Sequence, residues 1–168
     1  MRKLFLVPAL VVVLQASSAL ANTPPTVEHQ PAACTVPDKA LSLCAAVSDD
    51  GTVAVTRLDF RKAGERYYSF VDMAFTGIDY CGTVPAPKKG KTKAIEYYIQ
   101  AIDDGYEPTR TSTFLLQVEP EEICEFAPVE QDETRASSIR VFATSRKQGK
   151  KLDGGFLRTG VTFVPSRK

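Results

Sequence analysis

Tryptophan is absent from this chain of 168 residues, and histidine occurs once, as His29. A single histidine leaves a Ser–His or Cys–His pair one place to form, and no nucleophile motif surrounds it. No G-x-S-x-G elbow, P-loop, dinucleotide fingerprint or H-E-x-x-H occurs. These absences argue against acyl transfer, nucleotide chemistry and zinc hydrolysis. His29 is expected to be an exposed or edge-strand residue, and the chain is expected not to be an enzyme. A small hydrolase built on paired carboxylates is a minor alternative. Nothing singles out two of the 19 acids that precede Thr134, and a sandwich of about 100 residues offers little cleft.

Net charge is also nearly missing: 21 basic residues face 20 acidic ones, for a sum of +1. That excludes a strongly basic nucleic-acid binder or an acidic solvating tail as a description of the whole chain. Long apolar runs are missing after the first twenty residues. Before that, Arg2 and Lys3 precede the run Leu4 to Leu14, and Ala19-Leu20-Ala21 gives a small-x-small pattern. Residues 1–21 therefore read as a secretory signal peptide. The run is shorter than the roughly 20 residues of a spanning helix. The mature chain is expected to start at Asn22, to be soluble without a transmembrane segment, and to reside in a periplasm or outside the cell.

What is present begins with four cysteines, Cys34, Cys44, Cys81 and Cys124. An even count in an exported chain reads as two disulfides. There is no C-x-x-C, so a zinc site lacks its usual ligand spacing. Four cysteines allow three connectivities, and spacing alone does not choose among them.

From Pro24 to Glu119 short alternating runs are separated by turn clusters, and no helical period is sustained. Leu41, Leu43, Ala45 and Val47 share one face of a strand, and Asp49-Asp50-Gly51 turns the chain. Thr56, Leu58 and Phe60 alternate with Arg57, Asp59 and Arg61. Tyr67 to Met73 is aromatic and β-branched, and Tyr80 to Val84 is a short strand. Ile95, Tyr97, Ile99 and Ala101 form the clearest inward face, followed by the Asp103-Asp104-Gly105 turn and by Phe114, Leu116 and Val118. With a first strand at Thr26 to His29, this predicts seven strands, lettered A, B, C, C′, E, F and G.

The runs Leu-x-Leu-x-Ala-x-Val-x-Asp at 41–49, Tyr-x-x-Val-x-Met at 68–73 and Glu-Tyr-Tyr-Ile-x-Ala-x-Asp at 96–103 resemble a bacterial fibronectin type III-like, immunoglobulin-like envelope family. The resemblance covers about residues 24–120 and implies an all-β sandwich. The family often has a tryptophan-sized aromatic in its core, so Tyr68, Phe70 and Tyr97 become candidates to fill that space, with Tyr97 also a candidate for the tyrosine corner. In this fold B and E are antiparallel neighbours. Pairing Leu41 with Val84 then sets Cys44 opposite Cys81, while Cys34 and Cys124 fall at the same end. The expected bridges are Cys44–Cys81 and Cys34–Cys124, with Cys34–Cys44 plus Cys81–Cys124 as the alternative. The fold also brings the two acidic turns to one end. Asp49, Asp50, Asp103 and Asp104 there make a candidate Ca²⁺ site, against which stands the ordinary use of Asp-Gly in turns. No other cofactor is implied.

After Cys124 comes a polar linker, 125–138, and then a basic extension, 139–168, in which two weakly alternating runs, Ile139–Thr144 and Val161–Val164, suggest a short hairpin. From Thr134 onward nine basic residues face Asp153 alone, whereas the mature part before it carries 10 basic and 19 acidic residues. The mature chain is thus a −9 sandwich and a +8 tail. Arg140, Arg146, Lys147, Lys150, Lys151 and Arg158 are candidates to meet a polyanion, or the chain's own acidic sandwich.

The function expected is a non-catalytic binding or structural module of the bacterial envelope (residues 22–124 and the extension), acting on an envelope protein or an anionic envelope polymer. Strand addition to a partner by either run of the extension is one mechanism. Nucleic acid is disfavoured by export. The alternative is a carbohydrate-binding module using Tyr67, Tyr68, Tyr80, Tyr98 and Tyr106.

Overall fold

The computed structural model describes residues 22–124, 139–144, 152, 155–157 and 161–164. The expected signal peptide, the linker and most of the basic extension lie outside the described residues. Twelve strands and no helix occur among those described: β1 Thr26–Glu28, β2 Cys34–Thr35, β3 Leu41–Ser48, β4 Val53–Lys62, β5 Ser69–Asp72, β6 Ala74–Phe75, β7 Tyr80–Val84, β8 Ala94–Asp103, β9 Pro108–Arg110, β10 Phe114–Val118, β11 Val141–Ala143 and β12 Val161–Phe163. They form two sheets. One has four strands in the order β1-β3-β7-β6; the other has eight in the order β12-β11-β5-β4-β8-β10-β2, with β9 on β8. The larger sheet curls into a half-barrel.

The long strands follow their alternation. Leu41, Leu43 and Ala45 of β3 face Leu58 and Phe60 of β4, Ile95, Tyr97 and Ile99 of β8 and Leu116 of β10 in one core between the sheets. Apolar burial of this kind supplies most of the stabilisation, at about 25 cal/mol per Å². The stretch 67–73, expected as one strand, divides. Ser69–Asp72 pairs with β4, the chain changes sheets at Met73, and Ala74–Phe75 pairs with β7. Parity decides where the aromatics go. Val71 lies opposite Leu58 in the core, so Phe70, opposite Asp59, must face outward. Of the three residues expected to fill the tryptophan-sized space, only Tyr97 lies in the core; Phe70 and Tyr68 lie on the outer face. Phe60 and Phe156, with ring centroids 5.4 Å apart, supply further aromatic volume inside.

Disulfides join Cys34 to Cys124 and Cys44 to Cys81. Leu41 does pair with Val84 and Cys44 with Cys81, on adjacent antiparallel strands.

The described parts of the extension pack against the rest of the fold. β11 runs antiparallel to β5, with Phe142 opposite Phe70. β12 runs parallel to β11, so the expected hairpin does not form. Parallel neighbours need a crossover. Its chain is pinned midway, where Phe156 bridges Pro87, Gly155 O accepts from Lys88 N at 2.7 Å, and Leu157 N donates to Ala86 O at 2.9 Å. The strand addition expected toward a partner is therefore made within the chain by Val141–Ala143.

A candidate binding face of guanidinium and aromatic groups

The outward parity of five strands lays polar and aromatic side chains side by side on the larger sheet. Arg57, Asp59 and Arg61 project from β4, Glu96, Tyr98 and Gln100 from β8, Phe70 and Asp72 from β5, Arg110 from β9 and Phe142 from β11. Register places Tyr98, Asp59, Phe70 and Phe142 in one row across the sheet. Phe70 and Phe142 stack with centroids 5.3 Å apart, and Tyr68 meets Tyr98 edge-on at 5.0 Å.

Guanidinium groups cover the rings. The central guanidinium carbon lies 4.5 Å from the Phe70 centroid for Arg57, 4.3 Å from that of Tyr68 for Arg61, 5.2 Å from that of Tyr98 for Arg110, and 5.4 Å from that of Tyr67 for Arg66. Such contacts contribute about 0.5–1 kcal/mol each at exposed sites. Arg61 also donates to Glu96 through Nε at 2.7 Å, and those bonds hold the Glu96 carboxyl below its ordinary range. Arg57 meets Asp72 at 3.4 Å. Arg66, Arg110 and Arg140 form no ion pair with a carboxylate among the described residues.

Asp59 sits in the middle of this row. One carboxyl oxygen, Oδ2, is buried without a hydrogen-bond partner among the described residues. Burial raises its pKa to about 6, against the lowering effect of the Tyr98 hydroxyl, Arg57 and Arg110. Tyr98 is pushed up to about 12, first by burial and then by the Asp59 charge.

A cleft of about 400 Å³ opens beside this face, lined by Val71, Asp72, Gly82, Ile139, Arg140 and Phe142 among others. Arg140, exposed, is the one candidate polyanion-binding residue of the extension that is described. Arg146, Lys147, Lys150, Lys151 and Arg158 lie outside the described residues.

The four aspartates do not assemble as a calcium site. Asp103 is fully buried, and its carboxylate accepts from Asn22 Nδ2 at 2.6 Å and Glu107 N at 2.7 Å. Asp49 Oδ2 accepts from Gly51 N at 2.9 Å, an Asx-type turn. No three His, Cys, Asp or Glu side chains among the described residues are grouped as metal ligands. Turn chemistry draws the carboxylates of Asp49 and Asp103 toward backbone N–H groups.

His29 is neither exposed nor free. It bridges the sheets, with Nδ1 2.7 Å from Cys44 O and Nε2 2.9 Å from the Tyr97 hydroxyl. A carbonyl only accepts, so Nδ1 carries the proton and Nε2 accepts from Tyr97. The tyrosines expected for carbohydrate binding divide. Tyr68 and Tyr98 belong to the guanidinium–aromatic face, and Tyr67 lies in the loop before β5 with Arg66 over its ring. Tyr80 packs 5.2 Å from Phe75 on the smaller sheet, and Tyr106 stands 86% exposed in the turn after β8.

No family model and no curated protein matches the chain. Solved structures similar to it include the SrpA adhesin from Streptococcus sanguinis, at 16% identity and a TM-score of 0.42, covering 63% of this chain and 62% of that one. An engineered protein solved at 1.98 Å is similar at 16% identity and a TM-score of 0.43, covering 59% of this chain and 21% of that one. The chain thus spans about a fifth of the latter and under two thirds of the former. No helix among the described residues is long and apolar enough to cross a membrane.

Proposed function

We propose that the protein is an exported, non-catalytic binding module of the bacterial envelope, a disulfide-bonded relative of immunoglobulin and fibronectin type III-like domains, and that it meets its partner through the guanidinium–aromatic face of the larger sheet. One observation carries this reading: arginines from β4 and β9 lie over aromatic rings on a single sheet face. Arginine and aromatic residues dominate binding hot spots because they bury large area and donate directional hydrogen bonds. The two disulfides fit maturation in an oxidising compartment. Both ring nitrogens of the only histidine are engaged in bridging the sheets, which disfavours it as a general base. The partner class is an envelope protein or an anionic envelope polymer.

The test is a joint Arg57→Gln, Arg61→Gln and Arg110→Gln variant, assayed for retention on isolated envelope material across a salt gradient. The expected result is elution at markedly lower salt with the fold retained by circular dichroism. Unchanged retention would remove this face from consideration.

A further inference from the structure

We infer that the guanidinium–aromatic face takes an anionic polysaccharide and couples its binding to the uptake of a proton on Asp59. This rests on the reading of the face just given. Five arginines (57, 61, 66, 110 and 140) stand on it or at its rim, against the carboxyls of Asp59, Asp72 and Glu96. It is a locally cationic surface on a sandwich that carries a large excess of acid. Charge complementarity therefore selects an acidic partner. The tyrosine rings at 68 and 98, each with an arginine stacked over it, set aromatic and cationic groups side by side. That alternation suits a chain of sugar rings bearing acidic substituents.

Geometry makes Asp59 the group that answers to such a ligand. It projects into the centre of the face, between Tyr98 of β8 and Phe70 of β5 in register. Its neighbours are Arg57 and Arg61 on its own strand, Asp72 on β5, Tyr68 ahead of it, Glu96 and Tyr98 on β8 and Arg110 on β9. The buried Oδ2 has no partner among the described residues and is free to hold a proton. Ionised, Asp59 offsets Arg57 and Arg110; neutral, it leaves both to an external anion. An anion arriving above it disfavours the ionised form further, so ligand and proton bind together. The ordinary value for an aspartate is 3.8, and burial places this one at about 6, within reach of mild acid.

The probe is dextran sulfate, whose charge is fixed between pH 5 and 7.5, with neutral dextran as the control. The wild-type protein is expected to bind dextran sulfate about tenfold more tightly at pH 5 than at pH 7.5. It should take up a proton on binding, read by calorimetry in buffers of different ionisation enthalpy. Asp59→Asn keeps the side-chain shape and should bind at both pH values with the acid-side affinity and no proton uptake. Binding by the wild type without pH dependence overturns the coupling and leaves the face as a binding site. No loss of binding in the joint Arg57, Arg61 and Arg110 glutamine variant overturns the face itself. Equal affinity for polyaspartate overturns the assignment to a glycan in favour of an acidic protein.

Discussion

His29 and Asp59 show opposite uses of a half-buried polar side chain. The backbone N–H of Ala32 donates to Tyr97, the Tyr97 hydroxyl donates to His29 Nε2, and His29 Nδ1 donates to the Cys44 carbonyl. Every donor in that chain has an acceptor. His29→Ala leaves the Tyr97 hydroxyl and the Cys44 carbonyl short of a partner, and the expected loss is about 1–3 kcal/mol by urea denaturation. Asp59 instead holds an orphan oxygen. Its pKa is 3.8 as an ordinary aspartate and about 6 in the folded chain, so the native state binds the extra proton between those values. Its contribution to stability therefore falls as pH rises from about 4 to 6. Asp59→Asn should stabilise the protein on the order of 1–2 kcal/mol at pH 7.5, and by much less at pH 4. A gain equal at both pH values would mean that the carboxyl is not titrating in that window.

Among the elements, the C-terminal plug carries the clearest energetic consequence. Phe156 enters the core against Phe60, while the backbone on either side of it is tied to Ala86 and Lys88. Phe156→Ala should cost about 3–5 kcal/mol in chemical denaturation, as for other buried aromatic truncations. A loss below 1 kcal/mol would show the plug to be peripheral. This element was not legible in the sequence, because Gly154-Gly155 punctuates the chain just before it and reads as loop. The strands β3, β4, β8 and β10 were legible from apolar residues at alternate positions, such as Leu41, Leu43 and Ala45 or Ile95, Tyr97 and Ile99, and one buried face dictates their register. β2, β6 and β9 were not, since two or three residues carry no period and exist only because a neighbouring strand offers a free edge. The binding face was half legible. The run Arg57-Asp59-Arg61 shows an outward acid between two cations. That this acid lies between Tyr98 and Phe70 depends on the register of three strands, and the covering of Phe70 by Phe142 on a fourth.

For the whole molecule, the two disulfides act on different scales. Cys44–Cys81 ties neighbouring strands within one sheet, whereas Cys34–Cys124 closes a separation of 90 residues and ties β2 to the chain beyond β10. Chain-entropy models value a loop of that length at about 4–5 kcal/mol. Replacing Cys34 and Cys124 by serine should lower the unfolding free energy by up to that amount, and by more than the Cys44 and Cys81 pair does. The same closure has a mechanical meaning. A force applied between Asn22 and a point beyond Cys124 first strips the flanks, β1 on one side and whatever follows Cys124 on the other, and then runs from Cys34 to Cys124 through one covalent bridge. The intervening chain, roughly 300 Å if extended, is withheld from the pull. In a single-molecule experiment the oxidised protein should yield only its two short flanks, and the reduced protein should release the full length. Tension passed along the chain from one side of the bridge to the other would thus leave residues 35–123 unextended.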